Sequence, residues 1–188
     1  MIKKFDKKMW VTVPHIYVDT NVYAEIIEGQ HRASIHLLET VKEKKWRCST
    51  SIFTLMELSE IRQDNKYIYN QLGLGTHIKK AFRALDQKDL SPSELTQTQE
   101  KIDTLFIRTY PFVEFFSLEE KGWDRALELK ATTNISASDA IHLATALEAG
   151  CDILVTLDTF LIKEASSFMK TCPPEQTNRI LKELGFDI

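Results

Sequence analysis

The sequence has few cysteines, no long apolar run and no excess of basic charge, and each absence excludes a class of protein. Its 188 residues include only three cysteines, which are far apart and form no CxxC pair. A small disulfide-stapled protein and a paired-cysteine zinc or redox motif are therefore excluded. We expect the three thiols to be buried or half-buried in a reducing cytosol.

No apolar run approaches the ~20 residues that a membrane helix needs. The lysine-rich start of the chain is interrupted by Asp6 and lacks the apolar core of a signal peptide. We therefore expect a cytoplasmic protein with no membrane partner. Lys and Arg total 24 against 27 Asp and Glu, a formal net charge of -3, so any nucleic-acid partner must be recognised by local features.

The composition that is present is that of an ordinary folded domain. Hydrophobic residues make up 43% and charged residues 27% of the chain, which excludes disordered and collagen-like proteins. The length suits a single domain over residues 1–188. Residues 16–18 and 153–155 are apolar on both faces, as in parallel strands covered on two sides. Because predicted strands alternate with predicted helices, we expect a three-layer α/β/α sandwich with a central parallel sheet.

One part of the chain departs from this alternation. From about residue 62 to residue 110 the pattern is helical with no strand, which predicts a helical insertion. A helix that begins at Phe53 is expected to end near Ile61. A further helix begins at Ser91, where Ser91, Pro92 and Glu94 form a capping box.

Four carboxylates stand out by their context. Asp19 and Asp158 each follow a predicted strand, Glu57 lies in an apolar helix, and Asp139 begins a helix. Helix capping, a first-turn acid and a turn are ordinary interpretations for the three aspartates, whereas a carboxylate near a core needs a partner or a cation.

The carboxyl ends of parallel strands meet at one edge of a sheet, so we expect these acids to converge there. Neighbouring carboxylates repel each other, and no Lys or Arg lies beside any of the four in the sequence. A hard cation with oxygen ligands, Mg²⁺ or Mn²⁺, resolves that repulsion.

The acids lie in four motifs that resemble those of the PIN domain family. The motifs are Val18-Asp19-Thr20-Asn21, then Glu57, then Ser138-Asp139-Ala140-Ile141-His142-Leu143-Ala144-Thr145-Ala146, and finally Leu154-Val155-Thr156-Leu157-Asp158. PIN domains are metal-dependent nucleases that include the toxins of bacterial and archaeal VapBC toxin–antitoxin pairs. The resemblance extends from about residue 16 to the last predicted helix and does not account for residues 62–110.

The resemblance implies an acidic pocket in a parallel α/β/α sandwich. It implies that one or two Mg²⁺ or Mn²⁺ ions are bound by four catalytic acids, which are Asp19, Glu57, Asp139 and Asp158. Asn21 and Thr156 match positions that support such a site by hydrogen bonding, and His142 matches a packing position. The implied reaction is hydrolysis of an RNA phosphodiester bond by metal-activated water, which leaves 5′-phosphate and 3′-hydroxyl ends.

Two basic clusters are candidates for binding the RNA substrate. They are Lys44, Lys45, Trp46 and Arg47, and, within the helical segment, Lys79, Lys80 and Arg83. The lysines and arginines suit phosphates and Trp46 suits base stacking, although a solvated surface is the ordinary interpretation of either cluster.

The partners and the alternative function follow from the same features. The helical segment is expected to shape an RNA groove, to form a homodimer contact or to receive an antitoxin protein. An alternative function stays open, that of a catalytically silent PIN-like RNA-binding or scaffold module. The complete set of four acids favours the ribonuclease.

Overall fold

The computed structural model describes residues 13–188, and a five-stranded parallel sheet lies at its centre. The strands are β1 His15–Val18, β2 Arg47–Ser51, β3 Val113–Phe116, β4 Ile153–Val155 and β5 Lys170–Cys172. Their order across the sheet is β3-β2-β1-β4-β5. Every neighbouring pair is parallel, and Ile16 of β1 is in register with Cys48 on one side and Ile153 on the other. The predicted parallel sheet is confirmed.

Within residues 13–188 nine α-helices surround this sheet. They are α1 Thr20–Glu28, α2 Arg32–Lys44, α3 Phe53–Gly73, α4 Ile78–Arg83, α5 Pro92–Asp103, α6 Glu120–Thr132, α7 Ala137–Glu148, α8 Thr159–Ala165 and α9 Thr177–Glu183. A π-helical stretch, Thr104–Thr109, continues α5, and 3₁₀ turns lie at Leu85–Gln87 and Pro174–Gln176.

The helices form two layers, because successive strand residues point to opposite faces of the sheet. Ile16 and Val18 of β1 belong to a core that includes buried residues of α1, α2, α3, α5 and α9. Tyr17, between them, belongs to a second core with residues of α6, α7 and α8. Strand β4 divides in the same way at Leu154. The predicted α/β/α sandwich is therefore confirmed.

The helical segment between β2 and β3 differs from the prediction in where its first helix ends. Helix α3 does not end near Ile61 but continues to Gly73. Its polar middle is tied to neighbouring elements: Arg62 pairs with Glu28 of α1, and Lys88 pairs with Glu60 and Asp64. From the sequence alone, this polar stretch resembles the end of a helix. The ion pairs stabilise it as part of one continuous helix. The assignment of residues 62–110 as an insertion into a single domain stays a prediction.

Two elements near the carboxyl terminus were not predicted at all. Strand β5 has three residues, of which Lys170 is exposed and Thr171 is half-buried, so its sequence lacks a strand signal. Helix α8 begins directly after Asp158, a residue that the sequence had assigned to the site or to a turn.

The capping box at Ser91 and the free thiols are confirmed. Ser91 Oγ accepts from the Glu94 N–H, and Glu94 accepts from the Ser91 N–H. Cys48 and Cys172 are buried, Cys151 is half-buried, and all three are free. Over residues 13–188, no helix combines the length and the hydropathy needed to cross a membrane. The lysines considered as a targeting signal lie in residues 1–12, outside the described residues.

Candidate functional site

The candidate site lies at the edge of the sheet where the carboxyl ends of the strands meet, which we call the carboxyl edge. Strands β1 and β4 are neighbours there, and the Asp19 N–H donates to the Val155 carbonyl oxygen at 3.0 Å. Strands β2 and β3 lie on one side of β1, and β4 and β5 lie on the other side. The strand order therefore reverses between β1 and β4. In open α/β sheets, ligands bind in the crevice at such a point.

Asp19 is the most deeply placed of the four acids. Its Oδ1 accepts from the Thr20 N–H at 2.7 Å, and its Oδ2 accepts from Thr156 Oγ1 at 2.6 Å. Thr156 Oγ1 in turn accepts from Asn21 Nδ2 at 2.9 Å. Burial raises the pKa of Asp19 above its usual value, and the His142 charge and these hydrogen bonds offset only part of that rise. The structure thus brings Asp19, Asn21 and Thr156 together.

Glu57 projects from the second turn of α3 toward the same crevice. Its Oε2 accepts from Thr20 Oγ1 at 2.5 Å and from His142 Nε2 at 2.6 Å, and its Oε1 accepts from Ser138 Oγ. Burial alone would raise the pKa of Glu57. The hydrogen bond and charge of His142, followed by Ser138 and Thr20, lower it further than burial raises it. Glu57 is therefore held as a carboxylate in a half-buried position.

His142 is the counter-charge that the sequence did not reveal. It is 1% exposed on α7, and its Nε2 lies 3.6 Å from Asp19 Oδ1 as well as against Glu57. Tyr17 accepts the Ser51 N–H at 2.9 Å and its hydroxyl lies 2.7 Å from His142 Nδ1. A charged imidazole carries a proton on both nitrogens, so Nδ1 donates to the Tyr17 hydroxyl and Nε2 donates to Glu57.

The pKa of His142 follows from this environment. Burial lowers the pKa, but the hydrogen bond to Glu57 and the charges of Asp19, Glu57 and Asp139 outweigh burial and raise it above the usual value. The sequence interpretation of His142 as a packing residue is thus incomplete, since the ring also joins two carboxylates. Its spacing of three residues from Asp139 on one helix is the signal that places both side chains on one face.

Asp139 and Asp158 cap helices at the border of the crevice. Asp139 Oδ2 accepts from the Ser136 N–H at 3.1 Å, in a capping box that begins α7. Asp158 Oδ1 accepts from the N–H groups of Phe160 and Leu161 at 2.7 and 3.1 Å, which begins α8. Both side chains are half-buried, and the charge of Asp139 acts on His142.

The four acids do not assemble a ready metal site in this arrangement. Among residues 13–188, no group of three or more His, Cys, Asp or Glu residues is placed to hold a metal ion. Carboxylate oxygens suit Mg²⁺ and Mn²⁺, but here Asp19 and Glu57 accept hydrogen bonds from protein donors and share His142. In this arrangement a protein side chain, His142, holds the position of the counter-charge, so a metal ion would have to displace at least one of these hydrogen bonds.

The first basic cluster does not border this crevice. Arg47 begins β2, while the carboxyl edge begins at Ser51, about 13 Å further along the strand. Lys44, Lys45 and Arg47 are exposed at that opposite edge, and Arg47 pairs with Glu114. The prediction that Trp46 stacks on a base is wrong, because its ring is 6% exposed and packs in the core. The second cluster, Lys79, Lys80 and Arg83, is exposed on α4, and its role stays a prediction.

Comparisons with known proteins agree with this fold. A sequence model of the PIN domain family matches residues 16–165. A search of curated proteins found no significant match. The fold is similar to a toxin–antitoxin complex from Klebsiella pneumoniae, with 17% identity, a TM-score of 0.51, and coverage of 85% of this chain and 97% of the other.

Two further solved structures have the same fold. One is VapBC2 from Rickettsia felis bound to a DNA fragment from their promoter, with 18% identity, a TM-score of 0.55, and coverage of 84% of this chain and 98% of the other. The other is FitAcB from Neisseria gonorrhoeae, with 16% identity, a TM-score of 0.51, and coverage of 85% and 98%. Because the family match spans most of the chain and the fold agrees with it, this chain belongs to the PIN domain family.

Proposed function

We propose that this protein is a nuclease that hydrolyses RNA phosphodiester bonds and requires Mg²⁺ or Mn²⁺. The observation that carries the proposal is the pair of carboxylates on His142: Asp19 and Glu57 lie at the carboxyl edge, beside the point where the strand order reverses. Keeping two carboxylates close together has a cost in repulsion and desolvation. A site for cation-dependent chemistry accounts for that cost.

The proposed metal ligands are Asp19, Glu57, Asp139 and Asp158, with Asn21 and Thr156 orienting Asp19. Since Glu57 accepts from His142, Thr20 and Ser138 in the described arrangement, metal binding requires this carboxylate to exchange at least one protein donor for the ion. We expect weak binding of the ion alone for that reason.

We also propose that this protein is cytoplasmic and that its partners are an antitoxin protein and a second copy of this chain. The support for the antitoxin is the similarity in fold to structures that are toxin–antitoxin complexes. A small gene beside this one, whose product relieves growth arrest on co-expression, tests the antitoxin. Light scattering on the purified protein tests the homodimer.

The ribonuclease is tested by cleavage of a structured RNA with end-mapping, in Mn²⁺ and in EDTA. We expect cleavage in Mn²⁺, none in EDTA, and products with 5′-phosphate and 3′-hydroxyl ends. Asp19→Asn should lower the cleavage rate at least ~100-fold, because it removes the most buried negative charge of the site.

The matched control is Asp152→Asn. Asp152 directly precedes β4, and it accepts the His15 N–H at 2.8 Å at the opposite edge of the sheet. Its variant should cleave like the wild type. If wild type and Asp19→Asn cleave the RNA equally well, the assignment of the active site to Asp19 and its neighbours is wrong. RNA binding without any cleavage would favour the alternative, a catalytically silent RNA-binding or scaffold module.

A further inference from the structure

A cavity of about 250 Å³ lies away from the four acids, between α1, α3 and α5. Three cationic side chains line it, Arg62, Lys66 and Lys101, against the single carboxylate of Glu28. We call it the basic cavity. In a chain with a formal net charge of -3, a local excess of positive charge in a concave site indicates an anionic ligand.

Arg62 is built into the floor of the basic cavity. Its side chain is 10% exposed and pairs through Nη1 with Glu28 Oε1. Its Nε, which is also buried, has no hydrogen-bond partner among the described residues. A guanidinium offers five N–H donors in a rigid fork, so Glu28 does not use the full donor capacity of this side chain.

The two lysines differ in how far they are neutralised. Lys66 Nζ lies 3.5 Å from Glu94 Oε1, an oxygen that also accepts from Asn70. Lys101 is exposed and forms no salt bridge within residues 13–188. A lysine on a flexible stem beside a fixed arginine fork is a combination that suits phosphate. Lys101 is therefore the cation of this cavity whose charge is available to a ligand.

Tyr69 adds an aromatic surface to the same cavity. It lies on α3, two turns after Arg62, and its side chain is 62% exposed. Cations that follow a backbone, together with an exposed ring on which a base stacks, are the combination found at single-stranded nucleic-acid sites. A free anion such as phosphate has no base that could stack on this ring.

We propose that the basic cavity binds a phosphate group of the RNA strand, with a base of that strand stacked on Tyr69. The inference rests on the proposed ribonuclease function and names a part of its substrate-binding surface. Helix α3 carries both sites, since Glu57 belongs to the candidate active site and Arg62 to the basic cavity.

The test is fluorescence anisotropy with a labelled single-stranded oligouridylate of about 12 nucleotides, in EDTA so that binding is measured without cleavage. The full-length variants are Lys101→Gln and Tyr69→Ala, with Lys182→Gln as a control that makes the same charge change at an exposed position of α9. All three positions are exposed, so the fold should be retained, which circular dichroism checks.

We expect Lys101→Gln to weaken binding at least about fivefold and to reduce the slope of log K against log salt by about 0.7, the value for one phosphate contact on a single strand. Tyr69→Ala should weaken binding at least about fivefold with no change in that slope. Lys182→Gln should bind like the wild type.

Three results would overturn the proposal. Wild-type affinity in both cavity variants would show that the strand does not enter the basic cavity, and an equal loss in Lys182→Gln would show a general charge effect. If only Lys101→Gln weakens binding, an anion binds without a stacked base and the proposal is wrong as stated. Wild-type cleavage in Mn²⁺ alongside unaltered binding by the cavity variants would reject the basic cavity alone. RNA binding that depends on Lys101, without cleavage, would reject the nuclease alone.

Discussion

At the scale of single residues, His142 determines how the buried Asp19 and the half-buried Glu57 coexist. Its ring lies against Glu57 and 3.6 Å from Asp19, and Tyr17 fixes its other nitrogen. Removing the ring leaves the carboxylates without their shared counter-charge. His142→Ala should therefore lower the free energy of unfolding by roughly 2–4 kcal/mol, which denaturant unfolding measures.

The control for this variant is Thr145→Val on the same helix. Thr145 is equally buried, but its hydroxyl only donates to the Ile141 carbonyl oxygen at 2.7 Å. Its loss should cost about 1 kcal/mol or less. If His142→Ala destabilises the protein no more than Thr145→Val, the counter-charge assignment is wrong.

The residue scale also shows where sequence reasoning about the site stopped. The strand pattern located Asp19 at the carboxyl edge, and the resemblance to PIN domains added Asn21 and Thr156. Neither signal revealed the role of His142. A histidine within an apolar helix gives the same sequence pattern whether it only packs in the core or also contacts two carboxylates. The first-turn position of Asp139 was foreseen as an ordinary interpretation, whereas Asp158, interpreted as a turn residue, caps a helix that the sequence did not predict.

At the scale of elements, the capping box that begins α5 also fastens that helix to α3. Glu94 accepts from Asn70 Nδ2 at 2.7 Å and from Ser91, and Lys66 lies nearby. The hydrogen bond from Asn70, then those from Ser91, hold the pKa of Glu94 down at about 2. The box therefore depends on an ionised carboxylate.

This pKa shift predicts an acid dependence of stability. A carboxyl group whose pKa is lowered on folding stabilises the protein above its unfolded pKa, near 4.3, and loses that contribution as the pH falls toward about 2. Glu94→Gln should therefore be less stable than wild type at pH 5, with the difference shrinking by pH 3. Urea unfolding at both pH values measures it.

Glu100→Gln on the same helix is the control for the acid dependence. Glu100 is exposed and its side chain forms no hydrogen bond or ion pair among the described residues. Its unfolding free energy should stay within about 0.5 kcal/mol of wild type at both pH values. The prediction would be contradicted if the unfolding free energies of wild type and Glu94→Gln differ by the same amount at pH 5 and at pH 3.

Elements were predictable where local sequence and burial agree. The apolar strands β1 and β4 and the capping box at Ser91 met that condition. Helix α3 was predicted too short because its continuity depends on long-range ion pairs, such as Arg62 with Glu28. Strand β5 gains its strand character from pairing with β4 rather than from its own residues.

At the scale of the whole molecule, a proposed metal ion should stabilise the fold, because only the folded chain brings the acids together. Adding Mn²⁺ should raise the melting temperature of the wild type, by about 2–4 °C for each kcal/mol of binding free energy. Differential scanning fluorimetry measures the shift. Asp19→Asn and Glu57→Gln should lose it, whereas Asp152→Asn should keep it. A shift that persists in Glu57→Gln would remove Glu57 from the ligands.

One continuous helix, α3, joins the two sites proposed on this molecule. Glu57 and Arg62 are five residues apart on it, about 7.5 Å of helical rise. A helix does not stretch under thermal motion, so this separation is constant. If a phosphate of the RNA binds in the basic cavity, its distance from the candidate active site is fixed. The position of the cleaved bond would then be determined by the distance from the bound phosphate, and not by the identity of the bases between the phosphate and that bond.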